Sequence, residues 1–222
     1  TFTGANLLTL LLYAALNAFS FFLALNLVQA QGYSQFYAGL APLPFAVLLA
    51  LLSRWAGGAV NKYGPRLILS LGPAITGAGF LALSFVGLTA GAAVYWRTYL
   101  PGILLIGLGM GLTVAPLSST VMGALSKELA GTASGINNAI SRTSGVLGIA
   151  VMGAIALIVF SGSLMDRAAN LNLSPTAEQA LVQEADRLGE ASVPESVAAE
   201  RETAVAQAID RAFVDTFQTV ML

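Results

Sequence analysis

The sequence contains no cysteine and no histidine. The first absence removes disulfides and thiolate sites. The second removes Ser-His triads, His-ligated metals and the usual near-neutral proton carrier. Charge is also scarce: 9% of the 222 residues are Asp, Glu, Lys or Arg, and 56% are hydrophobic. An ordinary soluble domain carries about 25% charged residues, so this chain has too few to cover a water-facing surface. That excludes a soluble globular fold. The charges present are unevenly placed. Residues 1–165 hold Arg54, Lys62, Arg66, Arg97, Lys127 and Arg142 against Glu128 alone, a net of +5; residues 166–222 hold four arginines against ten acids, a net of −6. A faintly basic, apolar block is followed by an acidic, water-compatible one.

No Met opens the chain, and no basic segment precedes a short apolar core, so no signal peptide is visible. The sequence starts at Thr1 and stops at Leu222 inside an apolar run, which predicts a piece of a longer polypeptide. A membrane helix needs about 20 mostly apolar residues. The first 53 residues carry no charge, and Gln29 to Gln35 divide them into two runs. The expected spans are 6–28, 36–55, 67–88, 100–125 and 133–160, with a sixth starting near 208 and cut at 222. Membrane strands need only about 10 alternating residues, so these runs read as helices in an all-α integral membrane protein.

The Lys/Arg bias of short loops sets orientation. Arg54, Lys62, Arg66 and Lys127 lie on one side and Arg97 on the other, which places the N-terminus in the cytoplasm and residues 162–207 outside. Trp55 and the Tyr95-Trp96 pair suit the two interfacial aromatic belts. The outer segment is too long for a plain connection. Ser174 before Pro175 is an N-cap signal, and two short amphipathic helices are expected there, the second leading from Glu195 into the last span; a solvated acidic linker is the alternative for the first.

Small residues let helices approach in hydrocarbon; Gly107 and Gly111 in the fourth span and Gly131 and Gly135 in the fifth are expected to pack helices. Pro42, Pro44, Pro73, Pro101 and Pro116 can bend helices around a cavity or merely disturb packing. Tyr13, Asn17, Ser20 and Ala24 share a face of the first span, with Phe21 and Phe22 flanking it. Such a stripe lines an adaptable cavity or hydrogen-bonds to a neighbouring helix. Arg142, ~14 Å along the fifth span, is the one charged residue within spans one to five apart from Arg54 at the end of the second, with Asn138 one turn earlier. It can snorkel, join an interior polar network or attract an anion. Spans one to five hold no Asp or Glu, whereas membrane proton relays are built from carboxylates or His. The same poverty predicts no metal centre, no cofactor and no enzyme active site.

Gly58-Ala-Val-Asn61-Lys62-Tyr-Gly64-Pro-Arg66 resembles the G-x-x-x-D-[KR]-x-G-[RK]-[RK] loop of the major facilitator superfamily, with Asn61 at the family's Asp. The run Gly107-Leu-Gly-Met-Gly111, then Ala115-Pro116, Gly131-Thr-Ala-Ser-Gly135-Ile-Asn-Asn138 and Arg142 is similar to spans twelve and thirteen of its fourteen-helix drug–proton antiporters. The resemblance implies the C-terminal six-helix half of such a fold, in a bacterial inner membrane. It implies export of lipophilic or cationic drugs in exchange for protons, by rocking against an N-terminal half that holds the coupling acid. Tyr13, Asn17, Ser20, Phe21 and Thr113 would line the cavity. Lys62 and Arg66 would serve a cytoplasmic latch, and Asn138 and Arg142 an interior polar network. Partners would be the other half, lipophilic substrates, protons and the bilayer, with no nucleic acid. A facilitator of another solute (a metabolite, a lipid or a siderophore) and a non-transporting scaffold are the alternatives.

Overall fold

The computed structural model describes residues 2–89 and 91–222, with the backbone alone for Asn61 and Lys127. Its helices are α1 (Phe2–Gln29), α2 (Gln35–Leu40), α3 (Leu43–Tyr63), α4 (Pro65–Ser84), α5 (Tyr95–Thr98), α6 (Leu100–Gly123), α7 (Ala130–Ala168), α8 (Pro175–Ala185) and α9 (Ala199–Val220). Among the described residues there is no strand. Five stretches are long and apolar enough to cross a membrane: α1, α2 with α3, α4, α6 and α7.

Proline marks where several helices begin. Pro42 and Pro44 lack the N–H that would continue α2, so the second apolar run breaks into α2 and α3, with Pro42 at the N-cap of α3. Pro65 and Pro101 open α4 and α6, where a missing N–H costs nothing. Pro73 and Pro116 lie inside helices. One residue, Gly64, joins α3 to α4 at φ 78°, a conformation that favours glycine, and its N–H caps Val60 O.

Helix α6 packs against both α3 and α4, and α7 against both α1 and α9. Contacts of α6 with α1 and α7, and of α4 with α9, join the two groups. Phe19, Phe22, Leu23, Tyr99, Ile103 and Phe217 centre the main core. A smaller cluster of Ala5, Leu117, Val121 and Ala133 lies at the end of the bundle where Gly64 turns.

Helix α7 has 39 residues, ~58 Å at 1.5 Å per residue, while the hydrocarbon layer is about 30 Å thick. It is therefore longer than one crossing needs, and at its C-terminal end Phe160, Leu164 and Ala168 form a separate core with Leu181 of α8 and Val205, Ile209 and Phe213 of α9. This folded cap holds one free-standing helix, α8, with Ser174 Oγ accepting from Ala177 N–H at 3.2 Å. The second expected short helix is instead the first part of α9, continuous with the last apolar run. Its Ala208, Ile209, Ala212 and Phe213 are buried in the same cluster as α7 and α8 residues, so α9 runs unbroken; it is not among the five stretches apolar enough to cross a membrane. The cap seats on the end of α1: Gln29 Nε2 donates to Gly189 O, and Leu25 lies against Gly189.

Candidate substrate face and loop motif

The polar stripe of α1 divides along its length. Ser20 and Phe21 are exposed, Phe21 by 46%, while Tyr13 and Asn17 are half-buried. Asn17 Nδ2 donates to Tyr13 O at 2.7 Å, and Ser20 Oγ donates to Leu16 O at 2.9 Å. Both donors are thus engaged within the helix, leaving Asn17 Oδ1 and the lone pairs of Ser20 for outside groups. Phe21 meets Phe22 edge-on at 5.1 Å, and Phe22 is buried, so the exposed ring is braced from behind. Beside this stripe a mostly apolar groove of about 370 Å³ runs between α1 and α7, walled by Leu10, Leu11, Ala14, Leu147, Val151 and Met152.

Thr113 stands apart from that face. It is fully buried between α6 and α4, its Oγ1 donates to Gly109 O at 2.6 Å, and it fills the space beside Gly72. Its position serves helix packing in place of the expected cavity wall, because α6 is enclosed on this side by α4.

Of the expected packing glycines, Gly107 and Gly111 meet α3 at Phe45, Leu48 and Leu52. Gly131 and Gly135 have nothing within 4 Å of where a Cβ would stand. The close approach of α7 to α1 is made by Gly145, against Asn17, and by Gly148, against the Ala14 backbone. A second close crossing joins α4 and α6. A Cβ on Gly109 would stand 2.5 Å from Gly72 O and Thr76 N, and one on Gly79 would stand 2.8 Å from Gly102 O.

Asn138 and Arg142 are both exposed, on the same open stripe of α7 as Gly131 and Gly135. The buried polar contacts belong to the neighbouring Asn137, whose Nδ2 donates to Thr9 Oγ1 at 3.0 Å and Asn6 Oδ1 at 3.4 Å. Asn6 and Thr9 are buried, and Thr9 donates in turn to Ala5 O. One residue turns a helix by about 100°, which separates the inward Asn137 from the outward Asn138. The signal for Asn137 was its four-residue step from the buried Ala133.

In the loop motif, Gly64 makes the turn, Arg66 is exposed in the first turn of α4, and Lys62 Nζ lies 5.2 Å from the Tyr63 ring centre. Gly58 is exposed on α3. The side chain of Asn61 lies outside the described residues.

At the cap end, Arg167 Nη2 and Ser163 Oγ both donate to Asp215 Oδ2, at 2.6 and 2.5 Å. This cluster ties α7 to α9. Its signal was the four-residue step from Ser163 to Arg167, masked by ending the fifth span at 160. Beneath the cap, Asn26 Nδ2 donates to Tyr99 Oη at 2.7 Å and Tyr95 Oη donates to Ala41 O at 2.6 Å. Burial, with the nearby Tyr33 phenol adding to it, pushes Tyr95 up to about 12. Burial also raises Tyr99, opposed by the bond from Asn26. Both stay neutral hydrogen-bonding phenols at any physiological pH.

Residues 2–149 match the family profile described as Major Facilitator Superfamily. The chain is 29% identical over 184 residues to a "Probable actinorhodin transporter" of Streptomyces coelicolor, covering 81% of this chain and 32% of that protein. It is 32% identical over 138 residues to "Multidrug resistance protein Stp" of Mycobacterium tuberculosis, covering 62% of this chain and 25% of that one. It is 31% identical over 152 residues to "Drug efflux pump JefA" of the same organism, covering 67% and 28%. The chain thus spans a quarter to a third of the length of these relatives. With an all-α bundle, five helices fit to cross a bilayer and a match over most of its length, this chain belongs to the Major Facilitator Superfamily, as an integral membrane protein similar to the family's drug-efflux members.

Proposed function

We propose that the chain is the C-terminal six-helix unit of a secondary active exporter of lipophilic compounds, cationic drugs and antibiotics among them, in a bacterial inner membrane with its N-terminus in the cytoplasm. The observation that carries this reading is the open face of α1, where Ser20 and the braced ring of Phe21 stand exposed beside the half-buried Tyr13 and Asn17. Amide, hydroxyl and aromatic groups without charge suit varied apolar ligands. The names of the relatives, an actinorhodin transporter and drug efflux pumps, support the same substrate class.

In this reading the remaining polypeptide covers the stripe of Gly131, Gly135, Asn138 and Arg142, which stands open among the described residues. Rocking of the two units would expose the α1 face alternately to either side. Arg66 would contact the other unit at the cytoplasmic end. The carboxylate that couples export to protons would lie in the other unit, since α1, α3, α4 and α6 hold no Asp or Glu.

The test is uptake of a fluorescent lipophilic cation into energised inside-out vesicles carrying the full-length polypeptide. Accumulation abolished by an uncoupler is expected, with Asn17→Ala and Phe21→Ala each changing the uptake of at least one substrate. No accumulation by a well-expressed protein would overturn the substrate class, and uptake indifferent to the uncoupler would overturn proton coupling.

A further inference from the structure

The end of α3 near Gly64 carries a groove that the packing of the bundle does not use. Arg54, Gly58 and Lys62 follow at four-residue steps, and Trp55, Ala59 and Tyr63 run beside them, so the six residues form two parallel ridges on one side of the helix. They enclose a depression of about 340 Å³. Gly58 is its low point: a Cβ there would meet nothing within 4 Å. Arg54 and Lys62 are exposed, and among the described residues neither has an acidic partner. About 12 Å of helical rise separates them, and both side chains are long enough to converge above Gly58.

The groove continues an apolar track. Leu43, Val47, Leu51 and Trp55 also follow at four-residue steps, and they are 52, 54, 67 and 76% exposed. This ridge descends from the interfacial Trp55 into the hydrocarbon-spanning part of α3, while Tyr63 marks the water side. The chemistry that fits such a surface has two parts: apolar tails to cover the Leu43–Leu51 ridge, and an anionic head between two cations. A soluble anion has no use for the ridge. A covering protein helix would have to bury Arg54 and Lys62, at a cost that only paired acids offset.

We propose that this groove binds an anionic phospholipid, with its phosphate between Arg54 and Lys62 over Gly58, its glycerol at Trp55 and an acyl chain along Leu51, Val47 and Leu43. Basic pockets beside membrane helices hold such headgroups, and the small Gly58 and Ala59 give the headgroup its room. The proposal rests on α3 spanning the membrane and is independent of what the protein exports.

The test uses the full-length polypeptide in mild detergent, with native mass spectrometry reading retention of phosphatidylglycerol against phosphatidylcholine of the same acyl chains. Attraction of about fivefold per basic residue is expected, so phosphatidylglycerol should be retained roughly 25-fold better. Arg54→Gln should lower that preference about fivefold, and Arg54→Gln with Lys62→Gln should abolish it. Arg97→Gln, outside the groove, should leave it unchanged. Gly58→Leu, which keeps both charges and fills open space, should also lose the lipid. Equal retention of the two lipids would overturn the proposal. So would loss on Arg97→Gln equal to that on Arg54→Gln, or full retention by Gly58→Leu, either of which would mean diffuse charge attraction. An excess of inorganic phosphate should leave the lipid bound; displacement would assign the groove to a soluble anion and overturn the lipid. Because binding is read without transport, a failed export assay does not bear on this result.

Discussion

Gly109→Ala should loosen one of the closest helix crossings among the described residues. The new Cβ would stand 2.5 Å from Gly72 O and from Thr76 N, both backbone atoms of α4. Carbon contacts are comfortable near 3.5 Å, so α4 and α6 must part by about 1 Å. A gap of that size forfeits between a quarter and a half of each contact's ~0.1–0.2 kcal/mol. If the crossing around Thr76, Ile106 and Thr113 holds about as many atom pairs as one or two buried leucines, ~50–80, the loss is about 2–4 kcal/mol. Alanine's better helix propensity returns about 1 kcal/mol, which leaves a net destabilisation of about 1–3 kcal/mol, the usual range for overpacking. Gly77→Ala on α4 is the matched control, since its Cβ would meet nothing within 4 Å; it should be neutral or stabilising by up to about 1 kcal/mol. Gly102→Ala should fall between them, because its nearest obstacles, at 2.6 and 2.7 Å, are side-chain atoms of Leu83 that can turn away. Reversible unfolding of the full-length protein in mixed SDS and mild-detergent micelles gives the three values. A Gly109→Ala protein as stable as Gly77→Ala would refute the argument from close backbone approach.

Asp215→Asn removes the anion shared by Arg167 and Ser163, whose ion-pair partners are 35% and 37% exposed at the side chain. The cost should be modest, about 1 kcal/mol, but it falls on one seam: tryptic cleavage at Arg187 and Arg201 should speed up severalfold, and an unchanged rate would show that the pair does not hold the cap. Among the described residues Tyr33 Oη is buried without a hydrogen-bond partner, so Tyr33→Phe should be neutral or raise the thermal midpoint, whereas Tyr99→Phe strands the Asn26 amide and should cost about 1–3 kcal/mol. The reverse order of midpoints would contradict the hydrogen-bond assignment. The Ser192 backbone N–H donates to Glu184 at 2.9 Å, and this bond, opposed by desolvation and assisted by Arg187 and Ser192 Oγ, holds the Glu184 carboxyl below its ordinary value. A depressed carboxylate stabilises fully above the ordinary value near 4.3 and less as pH falls through the folded one. Cleavage within 184–197 by an acid-active protease should therefore rise as pH drops below about 4, and Glu184→Gln should remove the pH dependence; an unchanged dependence would place the sensitive group elsewhere.

The helices were legible because charge is so scarce that each apolar run stands out, and an apolar run in hydrocarbon must bond its own backbone. The breaks within runs were legible only where proline or a positive-φ glycine forces them, as at Pro42 and Gly64. What the sequence could not reveal was which neighbour each face meets. Thr113 and Ser20 are both small hydroxyl residues on apolar helices, and each donates to its own backbone; α4 encloses one and leaves the other open. Asn137 and Asn138 are chemically identical, and only the direction of α1 from α7 makes one an interior hydrogen-bond donor and the other a surface amide. Periodicity fixes a face, and a face acquires its role from the helix it meets. The same argument applies to Arg142, whose stripe on α7 stands open among the described residues: under the proposed arrangement its role depends on how the other unit covers Gly131, Gly135 and Asn138 beside it. A lone arginine there is costly to bury, so the covering surface must offer it an acid, a carbonyl or water. In that arrangement, removing the arginine should relax the demand on the other unit without disturbing α7, and a lowered unfolding midpoint would refute it.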